Sequence, residues 1–339
     1  PEDIKIGFES TAHYALNLEL FLENAHHSFM EVNPVLIKEY KKSTTLRRTK
    51  TDSVDCESIA RWLITVEYKP HSKGFYHAYS LKSLTRLRDR LIRQRSFYLV
   101  KITNVLDHTF PEFKPFFNER LSKTALYLLE NYGSAEKMAR MNSASYDKLR
   151  CISRGKFSIQ QFLRLKELAA NTVGVNNSIF DLELNTLLTL YKSLSDEINT
   201  LETEIIKLIE EVHPHYMSIP GIGPISAAVI YAEYGDISNF SNPGQMLAFA
   251  GIEPGINDSG TESHGGRMVK HGSSQLRYVL LNACLPLIRF DLTFATYYEK
   301  KRAEGKKHRV AITHVAKKLI RVIYALERQD VDFNAQKLR

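Results

Sequence analysis

Residues 4–8 read Ile-Lys-Ile-Gly-Phe, Glu9 follows, and residues 27–32 read His-Ser-Phe-Met-Glu-Val. Each run is short, apolar and bounded by polar residues, which is how a buried strand reads. Between them Leu16, Leu18, Leu20, Phe21 and Leu22 supply the apolar content of a helix reaching about Asn24. Asn33-Pro34 is a turn dipeptide that ends the second strand. From Val35 to Arg48 the chain carries Lys38, Lys41, Lys42, Arg47 and Arg48, and reads as a basic loop or frayed helix. A helix follows from Thr51, with Ile59, Ala60, Trp62 and Leu63 on its apolar face. Strand, helix, strand, helix is the grammar of an α/β unit. Two strands make a poor sheet alone. With Pro1 as first residue, this predicts that preceding strands belong to the same domain and that the chain is amino-terminally truncated.

Outward from that unit the chain turns helical. Leu81, Leu84, Leu87, Leu91 and Tyr98 recur at helical spacing among Arg86, Arg88, Arg90, Arg93 and Arg95, and Pro111 ends the helix. Leu184, Leu187, Tyr191, Leu194, Ile198, Leu201, Ile205 and Leu208 alternate steps of three and four, a heptad seam. The same seam suits a coiled coil with a second copy or a helix packed on its own domain. Glycine, proline and small residues rise from Ser218 to Gly272, and basic helices follow. The expected division is an α/β domain over 1–79, a helical region over 80–215 with the coiled coil at 184–208, and a small, mainly helical domain over 216–332.

Composition narrows the function classes. The 339 residues are 43% hydrophobic and 25% charged, which excludes a disordered or collagen-like chain. Lys plus Arg is 46 against 38 acids, a net +8, and such a surplus favours a polyanionic partner. Of that surplus, 16 Lys/Arg against 11 Asp/Glu lie from Pro220 onward. Cys56, Cys151 and Cys284 are far apart and form no metal-ligand pair, which suits a reducing compartment. With no signal peptide in view, the expected location is the cytoplasm, at the nucleoid.

Four constellations could carry chemistry. Glu9 stands at a strand end, and Asp52 and Asp55 are one helical turn apart, so both can project from one face. Such oxygen ligands suit magnesium, and one or two ions there could assist phosphoryl transfer. The competing reading is that Asp52 caps its helix and the acids merely complement the helix dipole. Second, Pro220-Gly221-Ile222-Gly223-Pro224 has the pattern of a helix-hairpin-helix, in which Gly221 and Gly223 admit phosphate oxygens; a plain inter-helix turn fits as well. Third, Ser259 lies in a glycine-rich loop followed by Arg267, Lys270 and Arg277, the parts of a nucleophile and its phosphate clamp, or simply of a flexible loop. Fourth, Lys300, Lys301, Arg302, Lys306, Lys307, His308 and Arg309, then Lys317, Lys318 and Arg321, form a basic run that could face nucleic acid or solvent.

In combination these stretches resemble the DEDD-type insertion-sequence transposases, relatives of the pilin-gene-inverting and bridge-RNA-guided recombinases. Glu9-Ser10-Thr11 with Tyr14, then Asn33-Pro34, then Lys50-Thr51-Asp52 with Asp55 and Ile59-Ala60, are similar to one family block. Pro220 to Gly223, Ala232-Glu233, Gly235-Asp236, Phe240, Ala250-Gly251, Pro254, Ser259-Gly260, Lys270-His271-Gly272 and Leu276-Arg277 resemble the second, in order. Ala12 and Cys56 replace the usual Gly and Ala. The resemblance implies a partial ribonuclease-H/RuvC-like domain whose acids bind Mg2+, with Glu9, Asp52 and Asp55 matching the last three of four. The first acid, on an upstream strand, has no counterpart here. It further implies DNA cleavage by Ser259 through a phosphoserine, a guide (bridge) RNA, and a dimer or tetramer. A junction-resolving nuclease that uses only the acids, and a non-catalytic nucleic-acid-binding fragment, remain as alternatives.

Overall fold

A computed structural model describes residues 4–9, 13–44, 51–68, 75–118, 121–259 and 262–338; the side chains of 13–14, 75–78, 254–259, 262–267 and 337–338 fall outside that description. Ser10, Thr11, Ala12, Arg47, Arg48 and Lys50, all named above, lie outside the described residues. The chain forms two compact units, residues 1–77 and 78–339.

The first unit is a parallel βαβ unit with two further helices. Strand β1 (Ile6–Glu9) leads into helix α1 (His13–Asn24), and strand β2 (Phe29–Val32) returns beside β1 in parallel, pairing Ile6 with Phe29 and Glu9 with Val32. A parallel pair needs such a crossover, and α1 supplies it. Ala15 and Leu22 are its buried apolar residues. The expected basic loop is instead helix α2 (Pro34–Thr44). Asn33 starts it: its Oδ1 accepts from the Val35 N–H at 2.9 Å, and Pro34 is pre-set for a first turn. Helix α3 (Asp52–Thr65) completes the unit. Val32, Ile37 and Leu63 make its small core, with Met30, Ile59, Trp62 and Tyr68 packed around them. Gly7 lets α3 approach β1: a Cβ there would meet the Leu63 methyls at 2.6 and 2.9 Å. Tyr68 Oη accepts from the Ile6 N–H at 3.3 Å and donates to the Ser28 carbonyl at 2.9 Å, tying both strand starts together.

The second unit is mostly helical and has two cores. Its elements are α4 (Phe75–Thr109), α5 (Phe113–Phe116), α6 (Lys123–Tyr132), α7 (Ala135–Ala139), α8 (Ser143–Ile152), α9 (Ile159–Ala170) and α10 (Ser178–Val212). There follow α11 (Pro224–Tyr234), α12 (Pro243–Ala250), strands β3 (Pro254–Ser259) and β4 (Glu262–Met268), then α13 (Ser274–Phe290), α14 (Leu292–Ala303) and α15 (His308–Gln329). One core gathers Ile102, Leu106, Phe110 and Phe113 with α6 to α9 and with Leu184 and Leu188. The other gathers Leu81, Ile205 and Ile209 with α11 to α15. Because α4 and α10 share both cores at opposite ends, they run antiparallel. The heptad seam therefore finds partners inside its own chain: Leu184, Ile198 and Ile205 are buried.

Two expectations for the carboxyl-terminal region change. The glycine-rich stretch around Ser259 is an antiparallel β-hairpin, with Asn257 opposite His264 and Ser259 opposite Glu262. Its backbone pairing makes no demand on side chains, so neither apolar alternation nor branched residues announced it. The Pro220–Pro224 turn follows a 3-10 turn (His215–Ser218) instead of a helix. Gly221, at φ +96°, is exposed on one side and on the other packs against α13, where a Cβ would lie 2.8 Å from Pro286 Cγ and 3.0 Å from the Ala283 carbonyl. Its lack of a side chain thus serves helix packing; Gly223 alone faces open space. No single helix among the described residues is long and apolar enough to cross a membrane.

Candidate active site

The acids of the first unit are set by the cap of α3. Thr51 is the N-cap, its side chain accepting from the Val54 N–H at 3.4 Å. Asp52 is therefore released from capping and exposed, contrary to the simplest structural reading of the sequence. Asp55, one turn on, is half-buried. Its Oδ1 is withdrawn from water, and the Lys41 ammonium of α2 is paired with it. Sequence reasoning counted Lys41 only as part of a basic run.

Glu9 ends β1, half-buried. Lys5 donates to the Leu63 carbonyl at 3.3 Å, and Leu63 covers Gly7. The carboxyl-terminal half of α3 thus packs on β1. Its first turn lies beyond that contact, with Asp55 about 12 Å up the helix axis from Leu63. Among the described residues no three His, Cys, Asp or Glu come close enough together to hold a metal ion. Glu9, Asp52 and Asp55 accordingly do not form a closed three-ligand cage. What suits a hard cation is the donor chemistry, carboxylate oxygen throughout, and a desolvated Asp55 oxygen that already has a cation against it.

The serine hairpin of the second unit is fixed at its root. Gly251 ends α12 at φ +64°. A Cβ on Gly251 would meet the Gly272 nitrogen at 2.8 Å and Arg277 Nη1 at 2.6 Å; one on Gly272 would lie 2.0 Å from the Phe249 carbonyl oxygen. Two backbones are thus in direct contact. The Val269 N–H donates to the Glu253 carbonyl at 2.8 Å and the Ser273 N–H to the Phe249 carbonyl at 3.0 Å, closing the root on both sides. Arg277 donates to the Ala250 carbonyl at 3.2 Å, so the guanidinium expected on a phosphate caps the end of α12. Ser259 is the last residue of β3, where pairing with β4 ends. The side chains of Ser259 and Arg267 lie outside the described residues, as do Gly260 and Thr261. Lys270 is exposed just beyond β4.

Sequence reasoning missed two further features. Glu233 of α11 is 2% exposed and forms a two-pronged pair with Arg86 of α4, at 3.0 and 3.1 Å. An acid inside the run Ala-Val-Ile-Tyr-Ala-Glu-Tyr was the available signal. His215 is gripped by Asp332 at Nδ1 (3.0 Å) and by Asp330 at Nε2 (2.9 Å), clipping the chain after α15 to the turn before α11. These bonds, that to Asp332 foremost, raise the imidazole above its usual value. Burial pushes the Cys284 thiol up to about 12, which makes it inert packing.

Comparisons with known proteins bear on both regions. The family model for transposases of the DEDD IS110 type matches residues 1–111. The model for transposases of the IS116/IS110/IS902 family matches residues 214–299. An insertion element IS110 protein of Streptomyces coelicolor is 27% identical over 245 residues, covering 70% of this chain and 60% of its own length. An insertion element IS900 protein of Mycobacterium paratuberculosis is 28% identical over 298 residues, 82% of this chain and 71% of its own length. The pilin gene-inverting protein of Moraxella bovis is 27% identical over 149 residues, 41% of this chain and 46% of its own length. The chain is thus matched to three-fifths of the IS110 protein's length and to less than half of the pilin gene-inverting protein. On these matches, with the acids in one region and the serine hairpin in the other, the chain carries the two domains of the IS110/IS116 family of transposases.

Proposed function

We propose that this chain cleaves and rejoins DNA strands during transposition of an insertion sequence, with Ser259 as nucleophile and the α3 acids as the metal-binding side. The observation that carries this reading is the pairing, in one chain, of an acid-bearing βαβ unit and a serine hairpin rooted in interlocked backbone, in the two regions matched by transposase domains.

The Ser259 hydroxyl oxygen attacks a phosphodiester phosphorus. A serine–phosphate ester bond forms, the bond from phosphorus to one deoxyribose oxygen breaks, and that oxygen leaves as a hydroxyl, gaining the proton that the serine gives up. The phosphoester conserves the bond energy, so attack by another strand's hydroxyl reverses the step and completes an exchange. Asp52, Asp55 and Glu9 would hold Mg2+, which when bound supplies positive charge for the phosphate oxygens in the transition state. Strand exits of parallel βαβ units are where such folds place ligands, and Glu9 lies at one. Lys41 neutralises the desolvated Asp55 oxygen in the absence of a metal ion. Lys270, exposed just beyond the hairpin's second strand, would meet phosphate there. A structured RNA that chooses the target and an assembly of two or more copies belong to the same reading.

Incubation with DNA carrying the element's ends and Mg2+, followed by a denaturing gel, tests it. The expected result is a covalent protein–DNA adduct that Ser259→Ala abolishes and that Asp52→Ala with Asp55→Ala reduces by at least about a hundredfold. Cleavage that persists in Ser259→Ala would identify an acid-only nuclease. A second reading, a nucleic-acid-binding chain that cuts nothing, is favoured by one observation: no three metal-ligating side chains meet among the described residues. Tight DNA binding with neither adduct nor nick would establish it.

A further inference from the structure

Helix α15 buries most of its circumference: Ala311, Ile312, Val315, Ala316, Leu319, Ile320, Val322 and Ile323 all lie in the core. Among the residues left partly or fully outside, beside Thr313, Lys318, Tyr324 and Glu327, runs a line of His314, Lys317, Arg321 and Arg328, at steps of three, four and seven residues. These steps keep all four within about 60° of arc along about 21 Å of helix. The line contains no acid. Among the described residues none of the four has a carboxylate within ion-pair distance, whereas elsewhere in the second unit Arg86, Arg88 and Arg93 each do. Lys317 is half-buried despite its charge, and desolvation followed by the neighbouring Arg321 lowers its pKa. Desolvation, then Lys317, Lys301 and Lys306, does the same to His314. Beside the line, Lys318 is held over the rings of Phe294 and Tyr297 at 5.1 and 5.3 Å.

Lys317, half-buried beside Arg321 and with no carboxylate at ion-pair distance, is a partly desolvated cation whose charge raises the free energy of the isolated protein. An external line of anions removes that cost. The spacing fits a nucleic-acid strand, since about 21 Å corresponds to about six phosphates at 3.4 Å of axial rise each. Location narrows the partner. The acid whose field reaches Lys317 is Glu253, the residue before β3, whose carbonyl closes the root of the serine hairpin.

We propose that the cations of the α15 line, Lys317, Arg321 and Arg328, are a docking track for the phosphate backbone of a DNA duplex, passing the root of the Ser259 hairpin. It deepens the function proposed above and rests on DNA being the partner. The track reads backbone and holds register; it does not read bases.

The test uses the full chain, a duplex carrying the element's end, and binding measured across a salt series. Neutralising three track positions together (Lys317→Gln, Arg321→Gln, Arg328→Gln) should weaken binding and reduce the slope of log affinity against log salt by about 2.7, that is about 0.9 for each lost phosphate contact. The exposed Arg321→Gln alone should remove about 0.9, which keeps the test open if the triple variant folds poorly. A control of equal charge on α8 and α10, Lys148→Gln with Arg150→Gln and Lys192→Gln, should leave the slope unchanged. Ser259→Ala should also leave it unchanged, so failure of the serine chemistry and failure of the track are separately visible. Equal slopes for track and control variants would overturn the proposal. So would a slope change seen only with a structured RNA while DNA binding is intact.

Discussion

The acidic end of α3 and the root of the serine hairpin hold their functional groups in opposite ways. At α3 the acids stand on one helical turn, one exposed and one paired with a half-buried lysine side chain. At the hairpin root, backbone touches backbone through Gly251 and Gly272, and Arg277 locks the end of α12. The first arrangement can readjust around a ligand. The second cannot, because there is no side chain to give way.

One substitution made in each region sharpens that contrast. Gly272→Ala puts a Cβ 2.0 Å from a backbone oxygen, so it should cost at least about 2–3 kcal/mol and abolish adduct formation. Gly7→Ala meets the Leu63 side chain, its methyls first, and no backbone among the nearest atoms, and repacking should hold its cost to about 1 kcal/mol. Thermal melts of both variants measure this; equal losses would break the distinction between rigid and adjustable regions.

Next in size is Lys41→Met. Removing the ammonium from Asp55 relieves its competition with a metal ion, so Mn2+ affinity measured by calorimetry should rise about two- to fivefold, the range of a partly exposed ion pair. A fall in affinity would mean that Lys41 assembles the acidic site instead of guarding it.

The smallest effect concerns the clip at His215. Its pKa is raised in the folded chain, so its contribution is complete below the ordinary histidine value of about 6.5 and fades as pH rises through the higher folded value. Wild type should therefore lose slightly more Tm than His215→Gln between about pH 6 and pH 8. A His215→Gln variant with an identical pH profile would show that the clip carries no proton-linked stability.

How far the sequence revealed these features depended on their physical origin. β1, β2 and α3 were legible because burial writes hydrophobic patterns. Asn33-Pro34 was equally legible as a boundary, yet its second meaning, the start of α2, was lost among the lysines that follow. The heptad seam was read correctly as a pattern and left open as to partner, since antiparallel pairing with α4 rests on the distant Leu81 and Ile102. The hairpin at Ser259 was not legible: its pairing uses backbone groups, which every sequence has. The candidate residues named from sequence divide in the same way. Asp52 and Asp55 stand where their spacing put them, at the start of a helix. Gly221 and Arg277 read as phosphate contacts by their type; their contacts with α13 and with the end of α12 are ones that only the fold defines.

The most direct test of the central claim is the identity of the atom that joins protein to DNA. Adduct formed with a duplex carrying the element's end and Mg2+ can be digested and the nucleotide-modified residue located by mass spectrometry. The phosphoester should lie on Ser259, in amounts that fall sharply in the Asp52→Ala, Asp55→Ala double variant. A phosphoester on any other residue, or cleavage of the duplex with no adduct at all, would contradict it.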